Sequence, residues 1–85
     1  MSVEDRVIKV VAEEMCLPLS KVTPGSRFQE DLGMDSLDGA ECRIWLDEEF
    51  SVEIPDETAE RLLTVQNVVE FIELEIKKQA ELMKT

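Results

Sequence analysis

Ser36 is the side chain whose surroundings point to chemistry. It stands in Asp35-Ser36-Leu37-Asp38, just after Gly33, at the head of a run that closes Asp47-Glu48-Glu49-Phe50. The chain has no histidine, and no G-x-S-x-G elbow surrounds the serine, so nothing activates its hydroxyl as a catalytic nucleophile. Two roles remain open. As structure, Asp35 or Ser36 caps a helix, which is worth about 1 kcal/mol. As a modified residue, Ser36 would hold a phosphodiester at the positive end of a helix dipole, beside unpaired N–H groups. That interaction is worth about 0.3–1 kcal/mol, so it positions a group without gripping it.

The other reactive side chains suggest less. Cys16 and Cys42 are the only thiols, and two thiols without histidine do not make a tetrahedral zinc pattern. Buried or half-buried structural cysteines, free rather than paired, are the expectation. A calcium loop starting at Asp31 fails as well. Its third position is Gly33, its sixth is Ser36 and its twelfth is Cys42, so the turn glycine and the bidentate glutamate are both missing. No metal site is expected.

The net charge of −11 is confined to one segment. Residues 30–60 hold twelve acids against the single base Arg43, while the remainder is neutral, with eight acids and eight bases. Such a field repels nucleic acid and anionic lipid and favours a basic protein patch; it acts on encounter rate and partner choice and weakens with salt. A merely solvated, solubilising face is the plainer alternative.

The 85 residues suffice for one small domain. No apolar run reaches the roughly 18 residues of a membrane span. Met1 to Arg6 lacks the basic-then-apolar order of a signal peptide. A cytoplasmic monomer that inserts in no membrane is the expectation.

Four helical segments must position Ser36. Val3, Val7, Val10, Val11 and Ala12 recur at helical spacing and predict a first helix over about residues 3–15. Residues 17–34 lack sustained periodicity and contain Pro24-Gly25 and Gly33, which predicts a long ordered loop pinned by Phe28 and Leu32. A second helix runs from about Ser36 to Phe50. A short third helix opens at Pro55-Asp56, with Asp56 as cap and Leu62 and Leu63 facing inward. Thr64 caps a fourth, whose stripe is Val65, Val68, Val69, Ile72 and Ile76. The last residues, 77–85, favour helix and fray.

At about 100° per residue, Gly39, Cys42, Leu46 and Phe50 share the inner side of the second helix. Leu37, Glu41, Ile44 and Glu48 lie opposite, flanked by Asp38, Ala40, Trp45 and Asp47. That outer face mixes carboxylates with apolar side chains, as a docking helix requires: charge steers and apolar contact holds. Packing of Ile44 and Trp45 against the long loop is the structural alternative.

Four stretches in order carry a resemblance. Glu30-Asp31-Leu32-Gly33-Met34-Asp35-Ser36-Leu37-Asp38, Leu46-Asp47-Glu48-Glu49-Phe50, Glu53-Ile54-Pro55-Asp56-Glu57 and Thr64-Val65-Gln66 strongly resemble the acyl carrier proteins, and the match extends from the first helix to about Ile76. The resemblance implies an all-α four-helix bundle with three longer helices, one short helix and a long loop between the first two. Its carrier domain spans residues 1–76, with 77–85 as a helical extension or frayed tail.

It further implies that a dedicated phosphopantetheinyl transferase attaches 4'-phosphopantetheine from coenzyme A to Ser36, and that the thiol of this arm carries acyl groups as thioesters in fatty acid or related lipid biosynthesis. The carrier is not an enzyme; partners with basic docking patches perform the chemistry. By the same resemblance Asp35, Leu37, Asp38, Glu41, Ile44, Asp47 and Glu48 match docking positions, with Trp45 at their rim. Phe28, Leu46, Phe50, Ile54, Leu62 and Ile72 match positions that line the core and shelter the acyl chain. Gly39 and Cys42 fall on that inner side too. Carriers of polyketide, peptide or aminoacyl intermediates, and an unmodified interaction subunit, are the alternatives.

Several residues depart from the family's usual pattern. Gly39, Ala40 and Cys42 stand where larger residues are common, Arg43 where an apolar one is usual, Trp45 where a small one is usual, and Cys16 where a glycine often ends the first helix. Loss of bulk at Gly39 and Cys42 is expected to enlarge the acyl cavity or loosen the second helix. Arg43 is expected to pack its stem and keep its head in water. Together these departures imply a specialised carrier.

Overall fold

The computed structural model describes residues 2–82 and contains four helices: α1 (Val3–Met15), α2 (Ser36–Phe50), α3 (Asp56–Ala59) and α4 (Val65–Leu82). A 3-10 turn, Leu19–Lys21, punctuates the first loop. The described residues form no strand, only an isolated bridge between Arg27 and Thr64. The architecture is the expected all-α bundle, with three long helices and one short one.

Helix α1 starts with a reciprocal capping box. Asp5 N–H donates to the Ser2 hydroxyl at 3.1 Å, and Ser2 N–H donates to the Asp5 carboxylate at 3.4 Å. Its apolar stripe, Val7, Val10, Val11 and Ala12, is buried and packs against α2 and α4. The helix stops at Cys16, which is left-handed at φ 54° and ψ 42°. Leu17 N–H reaches back to the Ala12 carbonyl at 2.8 Å and Cys16 N–H to that of Glu13 at 3.3 Å. This is a Schellman termination, which usually takes glycine because a side chain is strained there. The geometry also turns Cys16 out to solvent, correcting the expectation that both cysteines are at least half-buried. Cys42 is buried.

The long loop is ordered through the start of α4. Phe28 N–H donates to the Leu63 carbonyl at 3.1 Å, Val65 N–H to that of Ser26 at 3.0 Å, and Gln66 N–H to that of Pro24 at 2.8 Å. Leu32 is buried and Phe28 packs partly buried against the core, with Val22 and Met34 as two further buried anchors. Arg27 stiffens the turn from within, pairing with both Glu30 and Asp31. That guanidinium holds the Asp31 carboxyl below its ordinary range, through the side-chain hydrogen bond first.

Helix α3 differs from the expectation in three respects. Pro55 takes the cap position, so Asp56 is the first helical residue and caps nothing; its carboxylate pairs with Arg43 instead. The helix ends at Ala59, which leaves Leu62 and Leu63 in the turn beyond it. Leu62 is only half-buried, and Leu63 is exposed. The Leu63 backbone is fixed by its bonds to Phe28 and Asn67, and its side chain stays outside the core. Thr64 does cap α4: Asn67 N–H donates to its hydroxyl, and Thr64 N–H donates back to the Asn67 side chain, both at 3.1 Å. Val65, Val68, Val69 and Ile72 complete the core, where each buried valine or isoleucine contributes about 1.5–3 kcal/mol. Helix α4 runs to Leu82, so the described part of the tail is helical; the expectation for residues 83–85 falls outside the described residues.

Candidate functional site

The start of α2 is prepared by the residues before it. Gly33 adopts φ +69°, a left-handed conformation that glycine takes without strain. The chain then extends through Asp35 at φ −92° and ψ −176°. Asp35 accepts from Asp38 N–H at 2.8 Å, and Asp38 accepts from Asp35 N–H at 3.3 Å. The two acids flanking Ser36 therefore close a capping box on the backbone. Ser36, the first helical residue, is exposed. Of its two readings as structure, the cap belongs to Asp35, and this leaves the Ser36 hydroxyl for another use.

Downstream, α2 shows two apolar sides. Cys42, Leu46 and Phe50 are buried, while Leu37, Ile44 and Trp45 are 67%, 57% and 54% exposed. Ile44 and Trp45 thus do not pack under the long loop. Glu41 and Glu48 are exposed beside them, as is Asp35, and Asp38 is half-buried in its capping box. Asp47 is half-buried at the flank of this surface. Its Oδ1 is buried without a hydrogen-bond partner, and desolvation pushes its carboxyl up, against the pull of Arg43 and the Ile54 backbone N–H. The outer surface continues onto α1 through Glu14. Burial raises the Glu14 carboxyl, the adjacent Glu41 raises it further, and Asp38 adds to this; Trp45 works the other way.

On the inner side a cavity of about 820 Å³ opens at Ser36 and runs between α2, α3 and the first loop. Phe28, Gly39, Cys42, Leu46, Ile54 and Leu62 line it. Phe50 and Ile72, expected there, lie in the core and not on its wall. Val68, from the inward stripe of α4, also reaches this wall, and Met34 and Ala59 add apolar wall that sequence patterning missed; those two sit in a loop and a one-turn helix, where no periodicity marks the inward side. Gly39 is at the mouth, exposed, and a Cβ built on it meets nothing within 4 Å. Arg43 also lines the cavity and bridges to Asp56 across the gap from α2 to α3. In the sequence it was marked as the lone base of an acidic segment and as a departure from the apolar residue usual at that position of the resembled family.

Cys42 places a thiol in the same wall. Burial, with the Glu14 charge adding to it, pushes that thiol up to about 12. At neutral pH only about one molecule in 10⁵ then holds the thiolate, the reactive form. Cys42 is a packing residue of this wall.

The helical bundle thus presents an exposed serine at a helix start, beside a cavity whose wall mixes apolar and charged side chains. Residues 5–72 match the family model described as the phosphopantetheine attachment site, and the chain belongs to that family. Its domain is the attachment site for covalent 4'-phosphopantetheine, so the protein is a non-catalytic carrier served by a phosphopantetheinyl transferase and by acyl-handling enzymes. The site fits such an arm, because the exposed hydroxyl opens onto space that no side chain fills. Among the described residues no helix is long and apolar enough to cross a membrane.

Proposed function

We propose that Ser36 bears the 4'-phosphopantetheine arm and that the chain carries acyl intermediates as thioesters for fatty acid or related lipid biosynthesis, apart from a housekeeping carrier of the same cell. One observation carries this reading: exposed Ser36 stands at the mouth of a cavity walled by Phe28, Met34, Leu46, Ile54, Leu62 and Val68. The arm supplies a thiol for the cargo, and this chain supplies a place to keep the cargo out of water. At about 25 cal/mol per Å² of apolar surface removed from water, an alkyl chain is the cargo such walls favour.

Leu37, Ile44 and Trp45 form the apolar centre of the docking surface, with Asp35, Asp38, Glu41 and Glu48 as its charged surround. Basic patches on partner enzymes complement this surface, and the same field keeps nucleic acid away. The carrier domain is residues 1–76, with the end of α4 as an extension, acting as a cytoplasmic monomer.

Specialisation rests on Gly39, Cys42, Arg43 and Trp45, which reshape the cavity and the docking rim together. Substitution for the housekeeping carrier in a reconstituted fatty acid synthase tests it. Slower elongation, by about tenfold or more, is expected; equal rates would refute specialised service.

A further inference from the structure

One wall of the cavity is held by far less than the others. Helix α2 packs against α1 and is tied to it through Arg6 and Glu49. Helix α4 also packs against α1, with Val65, Val68, Val69 and Ile72 buried. On the α3 side, by contrast, residues 55–62 include no buried residue. Asp56, Ala59, Glu60 and Leu62 of this segment line the cavity, as do Ser36 and Arg43.

Both ends of the segment are fixed. Just before it, Ile54 is 1% exposed and its N–H donates to Asp47. Just after it, the Leu63 backbone bonds to Phe28 and Asn67. Between these anchors every backbone hydrogen bond stays within residues 55–63. Half-buried Ala59 and Leu62 touch the core. Among the described residues, one polar contact ties the segment to another element: the ion pair of Arg43 on α2 with Asp56 at the start of α3. A stretch held by so few contacts opens at low cost. Fixed ends and a weakly held middle make a flap, and the ion pair is its catch.

The strength of that catch follows from its exposure. The Arg43 side chain is 34% exposed and that of Asp56 88%. An ion pair so close to water shifts an equilibrium by about fivefold at most, and salt removes much of the effect. Such a contact slows opening without preventing it. Arg43 stands where an apolar residue is usual in the family, so the catch is particular to this chain.

We propose that the Arg43–Asp56 pair latches residues 55–62 over the cavity and so sets how often a chain tethered to Ser36 leaves its shelter. This rests on the carrier reading above and adds a salt-sensitive control to the same cavity.

Two rates test the latch. Cys42 lines the cavity and is buried, so its labelling by a thiol reagent at mildly alkaline pH reports opening in the unmodified protein. Cys16→Gly serves as the background; it removes the exposed thiol and suits the left-handed position. In the holo-protein loaded with octanoyl, the second rate is hydroxylamine cleavage of the thioester relative to octanoyl on free pantetheine. At low salt Asp56→Asn and Arg43→Gln should each raise both rates about threefold, with melting temperature nearly unchanged. Molar salt should bring the native rates up to those of the variants, and the exchanged pair, Arg43→Asp with Asp56→Arg, should restore slow rates. Equal rates in native and variant proteins at low salt, a difference that persists in molar salt, or fast rates in the exchanged pair would each overturn the inference. Failure of the arm to attach would overturn the carrier reading instead, and Cys42 labelling would still decide the latch.

Discussion

Arg6 of α1 binds Glu49 of α2 through both side chain and backbone. Its Nη2 lies 2.8 Å from Glu49 Oε2 and 2.9 Å from the Glu49 carbonyl, while the guanidinium sits 4.4 Å from the centre of the Phe50 ring. The contact clamps the end of α2 to the start of α1, opposite the end that bears Ser36. Both side chains are about two-fifths exposed, so the ion pair alone is worth at most about 1 kcal/mol. The ring contact adds about 0.5–1 kcal/mol. Arg6→Ala should therefore lower stability by about 1–2 kcal/mol in urea unfolding, and Arg6→Lys should recover only part, because an ammonium lacks the planar fork.

Gly39→Ala should stabilise the protein. Glycine inside a helix costs about 1 kcal/mol relative to alanine, and an added Cβ at this position meets nothing within 4 Å. A gain of about 0.5–1 kcal/mol is expected in thermal or urea unfolding. Because Gly39 lines the cavity mouth, the same variant should expose a loaded chain to faster hydroxylamine cleavage. Stability gained at the cost of shelter would explain the glycine; loss of stability would contradict the open space above it.

The bundle was legible in the sequence wherever periodicity was sustained. The valine stripes of α1 and α4 gave those helices and their buried sides, and Asp35 and Thr64 occupy the cap positions read for them, whereas the Ser2 cap of α1 emerged only in the structure. Short and irregular elements were harder. One turn of α3 has too few residues for a stripe, so Leu63 read as inward when its backbone bonds leave it outside. Met34 gave no signal because its burial depends on loop hydrogen bonds to the start of α4. Cys16 read as buried or half-buried because its type favours burial, although it stands where a glycine often ends the first helix of the resembled family; the left-handed termination of α1 at Cys16 leaves it exposed. In the site, the Ser36 setting was legible from residue types alone, whereas Asp47 buried its Oδ1 and Arg43 met Asp56 for reasons visible only in three dimensions.

Mild acid should stabilise the contact between α1 and α2. The Glu14 carboxyl is raised above its ordinary value, first by desolvation and then by Glu41, so the folded protein binds that proton more tightly than the unfolded chain. Its carboxylate is unfavourable at neutral pH, and stability rises as pH falls through the folded pKa toward the ordinary value. Asp31 acts oppositely and lower: held down by Arg27, it loses its contribution as pH falls below the ordinary aspartate range through its folded pKa. Melting temperatures measured from neutral to mildly acidic pH should rise in the native protein. Glu14→Gln should melt higher at neutral pH and show a smaller rise. An unchanged profile in that variant would show that Glu14 has no part in it.

Docking residues should separate from structural ones by their stability. Leu37→Ala and Glu48→Lys remove exposed groups and should each lower kcat/KM of a phosphopantetheinyl transferase by about tenfold, with melting temperature nearly unchanged. Added salt should narrow the Glu48→Lys deficit and leave that of Leu37→Ala. Asp38→Asn is a poorer probe, because it also weakens the capping box with Asp35.

The central claim is that Ser36 carries the arm, and intact mass spectrometry after incubation with coenzyme A and a phosphopantetheinyl transferase tests it most directly. The native chain should gain the mass of one phosphopantetheine, located on Ser36 by peptide mapping, and Ser36→Ala should gain none while keeping its helical fold. No gain by the native chain, or a gain that survives in Ser36→Ala, would contradict the account.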